Sequence, residues 1–129
     1  MSVVEFTVAV SDSEAYFHIK SPADFGTGGT TTVDVSYGWR VEDGSAGGVT
    51  FSTKAATTIT ALKAEGWTDS DADPWTANDE IYWTAYKTIT IAGVSTGEQD
   101  LYFGVKLQSE NCDATNIYLD KVVIKTKGV

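Results

Sequence analysis

The chain has 129 residues, 42% hydrophobic and 21% charged, with 9 basic against 18 acidic residues and a net charge of −9. A single domain of this size can bury a real core without staples, and its acidity argues against nucleic acid and anionic membrane surfaces as partners. The lone cysteine, Cys112, excludes an internal disulfide framework, and no apolar run approaches the roughly 20 residues that span a bilayer.

Along the chain, period-two alternation dominates, the mark of half-buried strands. Val4, Phe6, Val8 and Val10 alternate with polar or small residues, and Phe17 and Ile19 alternate with Tyr16, His18 and Lys20. Val33, Val35, Tyr37, Trp39 and Val41 form the longest such series. "TKAATTITALKAEG" carries threonines that favour strand, but its tail fits equally one or two helical turns ending at Gly66. Ile89 and Ile91, then Leu101, Phe103, Val105 and Leu107, continue the alternation. In "NIYLDKVVIK", Ile117 and Leu119 share a face and the phase then shifts to Val122 and Ile124, which predicts a bulge near Asp120-Lys121.

Clusters such as "SPADFGTGG", "EDGSAGG" and "SENCDAT" separate these runs with turn-forming residues. Cys112, between Asn111 and Asp113, reads as a turn residue with no base nearby in sequence. The pattern predicts an all-β fold, an antiparallel sandwich, with a short helix near residues 58–65 as the alternative to continued strand.

One stretch departs from this pattern. "EGWTDSDADPWTANDEIYW" holds Trp67, Trp75 and Trp83 among six acidic residues. Trp39, in phase with Val33 and Val35, and Trp83, in phase with Ile81, read first as core. Trp67 and Trp75 sit in no alternating pattern, so they read as loop residues whose solvation cost a binding role would explain. Indole faces ringed by polar groups suit a sugar. One face of a pyranose is nearly apolar and stacks on the ring, while its hydroxyls seek Asp, Asn, Gln or Lys. Trp67 and Trp75 are thus the expected platforms, with Trp39 or Trp83 completing the surface. Tyr102, Lys106 and Gln108 on one strand and Tyr86 on another would supply the polar part. Tyr16, Tyr82 and Tyr118 join Tyr86 and Tyr102 as tyrosines out of phase with their aliphatic neighbours.

Asp69, Asp71, Asp73 and Glu80 fall at positions one, three, five and twelve of an acidic stretch, the carboxylate spacing of a calcium loop. Pro74 stands where that loop needs a sharp glycine turn, and the flanks read as strand or loop, both of which argue against a true EF-hand. A looser calcium site and a plain solvated acidic loop both remain. Asp120, set in an apolar strand, must be paired, hydrogen-bonded or bound to a cation, or else point outward at the bulge. Neighbouring carboxylates such as Asp79 and Glu80, or Asp71 and Asp73, raise a glycosidase, but some such pair is inevitable among 18 acidic residues. One histidine, His18, and one cysteine give no catalytic triad or zinc cluster.

The C-terminal third, from Trp83 through the run Thr88 to Ile91 and the run Leu101 to Val105 to Tyr118-Leu119-Asp120, resembles the end of a jelly-roll carbohydrate-binding module. Such modules are appended to bacterial plant-cell-wall hydrolases. The resemblance covers about forty residues, and the opening "VVEFTVAVSD" has no clear equivalent in the family. It implies a single non-catalytic module over residues 1–129, cut from a larger secreted enzyme, extracellular, and binding a β-glucan, xyloglucan or related β-linked hemicellulose. It implies no required cofactor, and raises Asp120 as a candidate ligand of a structural calcium. The rival expectation is a structural or adhesion sandwich that binds a protein partner.

Overall fold

Alternation sets the strands. The computed structural model describes residues 4–7, 13–21, 28–42, 47–69, 73–75, 80–110 and 116–126, with backbone alone at 4–7, 13, 42, 47–48, 69, 73–75, 108–110, 116 and 126. The elements are β1 (Val4–Thr7), β2 (Ser13–Lys20), β3 (Gly29–Glu42), β4 (Gly47–Ala56), α1 (Ile59–Ala64), β5 (Thr68–Asp69), β6 (Asp73–Trp75), β7 (Tyr82–Trp83), β8 (Lys87–Val94), β9 (Asp100–Glu110) and β10 (Asn116–Thr126).

All pairings are antiparallel, and they nest. β1 pairs β10, β2 pairs β9, β3 pairs β8, and β4 pairs β5 and β6. This is one long hairpin rolled up, the jelly-roll arrangement. The roll closes because β10 also pairs β3 and β9 also pairs β4. One sheet runs β1-β10-β3, with β7 and β8 sharing the far edge of β3. The other runs β2-β9-β4, with β5 and β6 sharing the far edge of β4.

The expected apolar phases point between the sheets. Val33, Val35, Trp39, Val41, Ile91, Leu101, Phe103, Val105 and Ile117 are at most 1% exposed. Phe51 of β4 joins them and packs on Tyr37, ring centroids 5.1 Å apart, and on Trp39 at 6.1 Å. The Tyr37 hydroxyl meets Thr53 Oγ1, a hydrogen bond from one sheet to the other. The Trp39 indole nitrogen has no hydrogen-bond partner among the described residues.

The predicted bulge is present. Leu119 pairs with Trp39 and Lys121 with Gly38, which leaves Asp120 as the extra residue. The helical alternative holds for "ITALKA", where Thr58 caps α1 by accepting from the Ala61 N–H at 3.1 Å. No helix among the described residues is long and apolar enough to cross a membrane.

Three sequence expectations need correction. Trp39 is 0% exposed and is core, so it cannot be a surface platform. Trp83 is the reverse, 48% exposed. Tyr82, expected out of phase, faces the core and packs on Trp39 at 5.2 Å. The cause is register: β7 pairs Trp83 with Gly38 and Tyr82 with Trp39, so Tyr82 must follow Trp39 inward. The segment after β7 is pinned to β3. Thr84 Oγ1 accepts from the Tyr37 N–H at 2.9 Å, and Ser36 Oγ donates to the Thr84 carbonyl at 2.6 Å.

Asp120 turns to the outer face and meets Arg40. Arg40 Nε lies 3.1 and 3.3 Å from its two oxygens, and the guanidinium sits 4.3 Å from the Tyr118 ring centroid. The carboxylate therefore already has its cation, and it does not fit a calcium ligand. A metal ion there would face the guanidinium at contact distance. Among the described residues no three His, Cys, Asp or Glu side chains gather as a metal site. Cys112, Asp71 and Asp79 lie outside the described residues, as do the side chains of Asp69 and Asp73, so the calcium-loop spacing falls there too.

Two outcomes follow from this packing. Asp120→Asn should cost about 1–2 kcal/mol, less than a fully buried pair because Arg40 and Asp120 keep some solvent. The drop in melting temperature should be equal in calcium and in EDTA; a loss seen only with calcium would make Asp120 a metal ligand after all. Tyr37→Phe leaves Thr53 without its partner and should cost about 1–3 kcal/mol at neutral pH. Burial pushes the Tyr37 phenol up. The unfolded chain would ionise at about pH 10 while the folded chain holds its proton, so this group's stabilisation is lost as pH rises above that value. Denaturant titrations at increasing pH should show the wild type losing stability more steeply than Tyr37→Phe; parallel slopes would contradict it.

Candidate functional site

The sheet containing β2, β9 and β4 turns its polar phase outward, and register lines these residues up in rows. Tyr16 pairs with Gly104, and Gly104 with Lys54. Trp67 immediately precedes β5, whose Thr68 pairs with Thr53, so Trp67 comes level with Lys54. One row therefore reads Tyr16, Gly104, Lys54, Trp67.

The glycine explains how the two aromatics fit. A Cβ on Gly104 would lie 3.0 Å from Tyr16 Cε1 and 3.2 Å from Trp67 Cη2. With hydrogen there instead, both rings close over the β9 backbone. A glycine inside a strand commonly marks such a close approach. Tyr16 remains 53% exposed and Trp67 is half-buried. Lys54 lies lower, at 7% exposed. Its Nζ is 4.5 Å from the Trp67 ring centroid and 5.9 Å from that of Tyr16, and Lys106 Nζ is 5.0 Å from Trp67.

The next row carries His18 and Tyr102, paired in register and stacked with centroids 5.0 Å apart. His18 Nε2 is 2.7 Å from Asp100 Oδ1, and Lys20 Nζ is 3.4 Å from the same oxygen. The hydrogen bond with His18, and then that with Lys20, holds the Asp100 carboxyl below its usual range. Beyond this row α1 folds back onto β4 and β9. Ile59, Leu62 and Lys63 form one wall of a cleft of about 510 Å³, and Tyr16, Phe17, His18 and Tyr102 form the rest. The cleft opens beside the aromatic row, so rings, lysines and an apolar hollow share one face.

Of the expected site residues, Trp67, Tyr102 and Lys106 are brought together here. Gln108 pairs with Thr50 further along the same strand. Trp75 ends β6 and pairs with Gly47; its side chain lies outside the described residues. Trp83 and Tyr86 are on the opposite outer face, across the whole core. There Trp83 sits over Gly38, whose Cβ would come within 2.9–3.0 Å of three atoms of the indole, and Lys125 Nζ is 4.2 Å from the Tyr86 ring centroid. No single surface joins Trp67 to Trp39 or Trp83. Tyr16, which the sequence offers only as one of five out-of-phase tyrosines, and Lys54, which it does not single out, also lie in this candidate site. Gly104, a glycine at an outward position in a strand, was the available signal for Tyr16.

No protein-family model matches the chain, and no curated protein matches it. Among solved structures it is similar to the C-terminal domain of EclA, a sugar-binding protein, at 14% identity and a TM-score of 0.47, covering 96% of this chain and 77% of that one. It is also similar to a CBM4 structure at 11% identity and a TM-score of 0.45, covering 97% of this chain and 71% of the other. An isomalto-dextranase of Arthrobacter globiformis T6 complexed with panose is similar over 89% of this chain and 18% of its own, at 16% identity and a TM-score of 0.45.

Proposed function

We propose that the chain is a non-catalytic carbohydrate-binding module whose ligand lies across the outer face of β2, β9 and β4. The observation that carries this reading is the pair of accessible rings, Tyr16 and Trp67, closed over Gly104 beside a cleft walled by Tyr102 and His18. Two platforms spaced along one row suit successive sugar rings of a chain better than one small ligand. Each stacked ring contributes on the order of 1 kcal/mol beyond area burial. Lys54 and Lys106 beside Trp67, and Asp100 beside His18, add hydrogen-bonding groups for hydroxyls. The ligand class proposed is a β-linked cell-wall polysaccharide: a β-glucan, xyloglucan or related hemicellulose. The module would hold an attached, secreted glycoside hydrolase near insoluble substrate, raising effective concentration without new chemistry.

Affinity electrophoresis in native gels containing xyloglucan, mixed-linkage glucan, glucomannan, xylan or galactan tests this. Tyr16→Ala and Trp67→Ala should each weaken binding about tenfold or more, equivalent to at least about 1.4 kcal/mol, while Trp83→Ala leaves it unchanged. Loss on Trp83→Ala alone would move the site to the opposite sheet. No retardation by any of these polymers, for protein with a cooperative melt, would sink the polysaccharide reading.

A further inference from the structure

Lys54 poses a problem that the aromatic row does not solve. It is 7% exposed, in a strand between two others, and an ammonium has three donors to satisfy. Among the described residues it has no hydrogen-bond acceptor and no carboxylate partner; its contacts are the faces of Trp67 and Tyr16. The described carboxylates nearby are committed elsewhere. Glu14 accepts from the Tyr16 hydroxyl at 3.4 Å, and Asp100 is held by His18 and Lys20. Ring faces attract a cation but accept no conventional hydrogen bond, so they do not replace water around the ammonium. Lys106 brings a second ammonium to the same indole. A cationic ligand is disfavoured here, although the protein as a whole carries −9.

We infer that the ligand carries a carboxylate, and that the site takes a β-linked polysaccharide bearing uronic acid residues, with Lys54 as the residue that reads them. This rests on the polysaccharide reading above and narrows it. Lys54 Nζ lies 4.5 Å from the Trp67 centroid and 5.9 Å from that of Tyr16, so the substituents of a sugar ring stacked on either come within its reach. A carboxylate there accepts a hydrogen bond in which donor and acceptor are both charged, shorter and stronger than a bond between neutral groups. Neutral chains would still stack, but with Lys54 unpaired or left to water.

The test changes the ligand first and the protein second. Calorimetry would compare a xylo-oligosaccharide bearing one glucuronic acid with the same oligosaccharide after reduction of its carboxyl to an alcohol. The wild type should bind the acidic form at least tenfold more tightly, with the gap narrowing as salt is raised. Lys54→Met, checked by its melting curve, should bind both forms equally. Since the ligand pair is compared on wild-type protein, the outcome stands even if that variant does not fold. Equal affinity of wild type for the two forms would overturn the inference and leave sugar binding intact. A gap that survives in folded Lys54→Met would overturn Lys54 as the reader. No binding of either form, nor of xyloglucan or mixed-linkage glucan, would overturn the polysaccharide reading itself and this inference with it.

Discussion

Val33, Val35, Tyr37, Trp39 and Val41 all project from one side of β3 into the space between the sheets, and that phase constrains every neighbour. β3 is the longest strand and pairs with β10, β7 and β8. Because side chains alternate strictly along a strand, a one-residue slip would move the whole set to solvent. Burial of these residues, about 25 cal/mol per Å² of apolar surface, makes such a slip prohibitive. Tyr82 therefore goes in and Trp83 out, and Asp120 is absorbed as a bulge so that Ile117, Leu119, Val122 and Ile124 can all face the core side.

The two outer faces inherit their contents from this constraint, and both use the same device. Gly38 lies beneath Trp83 on one sheet, and Gly104 beneath Tyr16 and Trp67 on the other. In each case a missing Cβ lets a large ring sit against the backbone while part of it remains in water. The faces differ in what surrounds the rings. Around Trp83, Arg40 pairs with Asp120, Asp34 Oδ1 accepts from Thr88, and Lys121, in register with Gly38, is exposed to solvent. Around Trp67 a nearly buried lysine has, among the described residues, aromatic partners alone, and a cleft opens beside it. That asymmetry favours the β2-β9-β4 face as the site.

How much of this was legible beforehand varied with the physical origin of each feature. The strand phases, the bulge at Asp120 and the sandwich class come from local alternation, and the sequence carries that directly. The short helix was an even contest between threonine-rich strand and a capped turn, and Thr58 as cap decided it. Trp83 was misplaced because "EIYWTAY" contains apolar-capable residues at both phases; only pairing with β3 distinguishes them. Trp39 was both a core residue and a candidate platform in sequence, and burial settles it as core. Within the site, Trp67, Tyr102 and Lys106 were visible from composition and phase. Lys54 was not, since its meaning depends on Tyr16 and Trp67 arriving from two other segments.

The placement of Lys54 also bears on how an acidic protein could accept an acidic ligand. At physiological ionic strength a charge is felt over a Debye length of about 8 Å. The net charge of −9 therefore opposes a dense polyanion, whose many charges lie within that distance of the surface at once. A polysaccharide with occasional carboxylates differs. Its neutral stretches approach without penalty and stack on the rings, and one carboxylate at a time reaches Lys54 beside Tyr16 and Trp67. There, among the described residues, the ammonium of Lys54 lies 4.5 Å from the Trp67 ring centroid. If Lys54 is the reader, local attraction and global repulsion together select for sparse acidity, a discrimination that neither the aromatic platforms nor the net charge would produce alone.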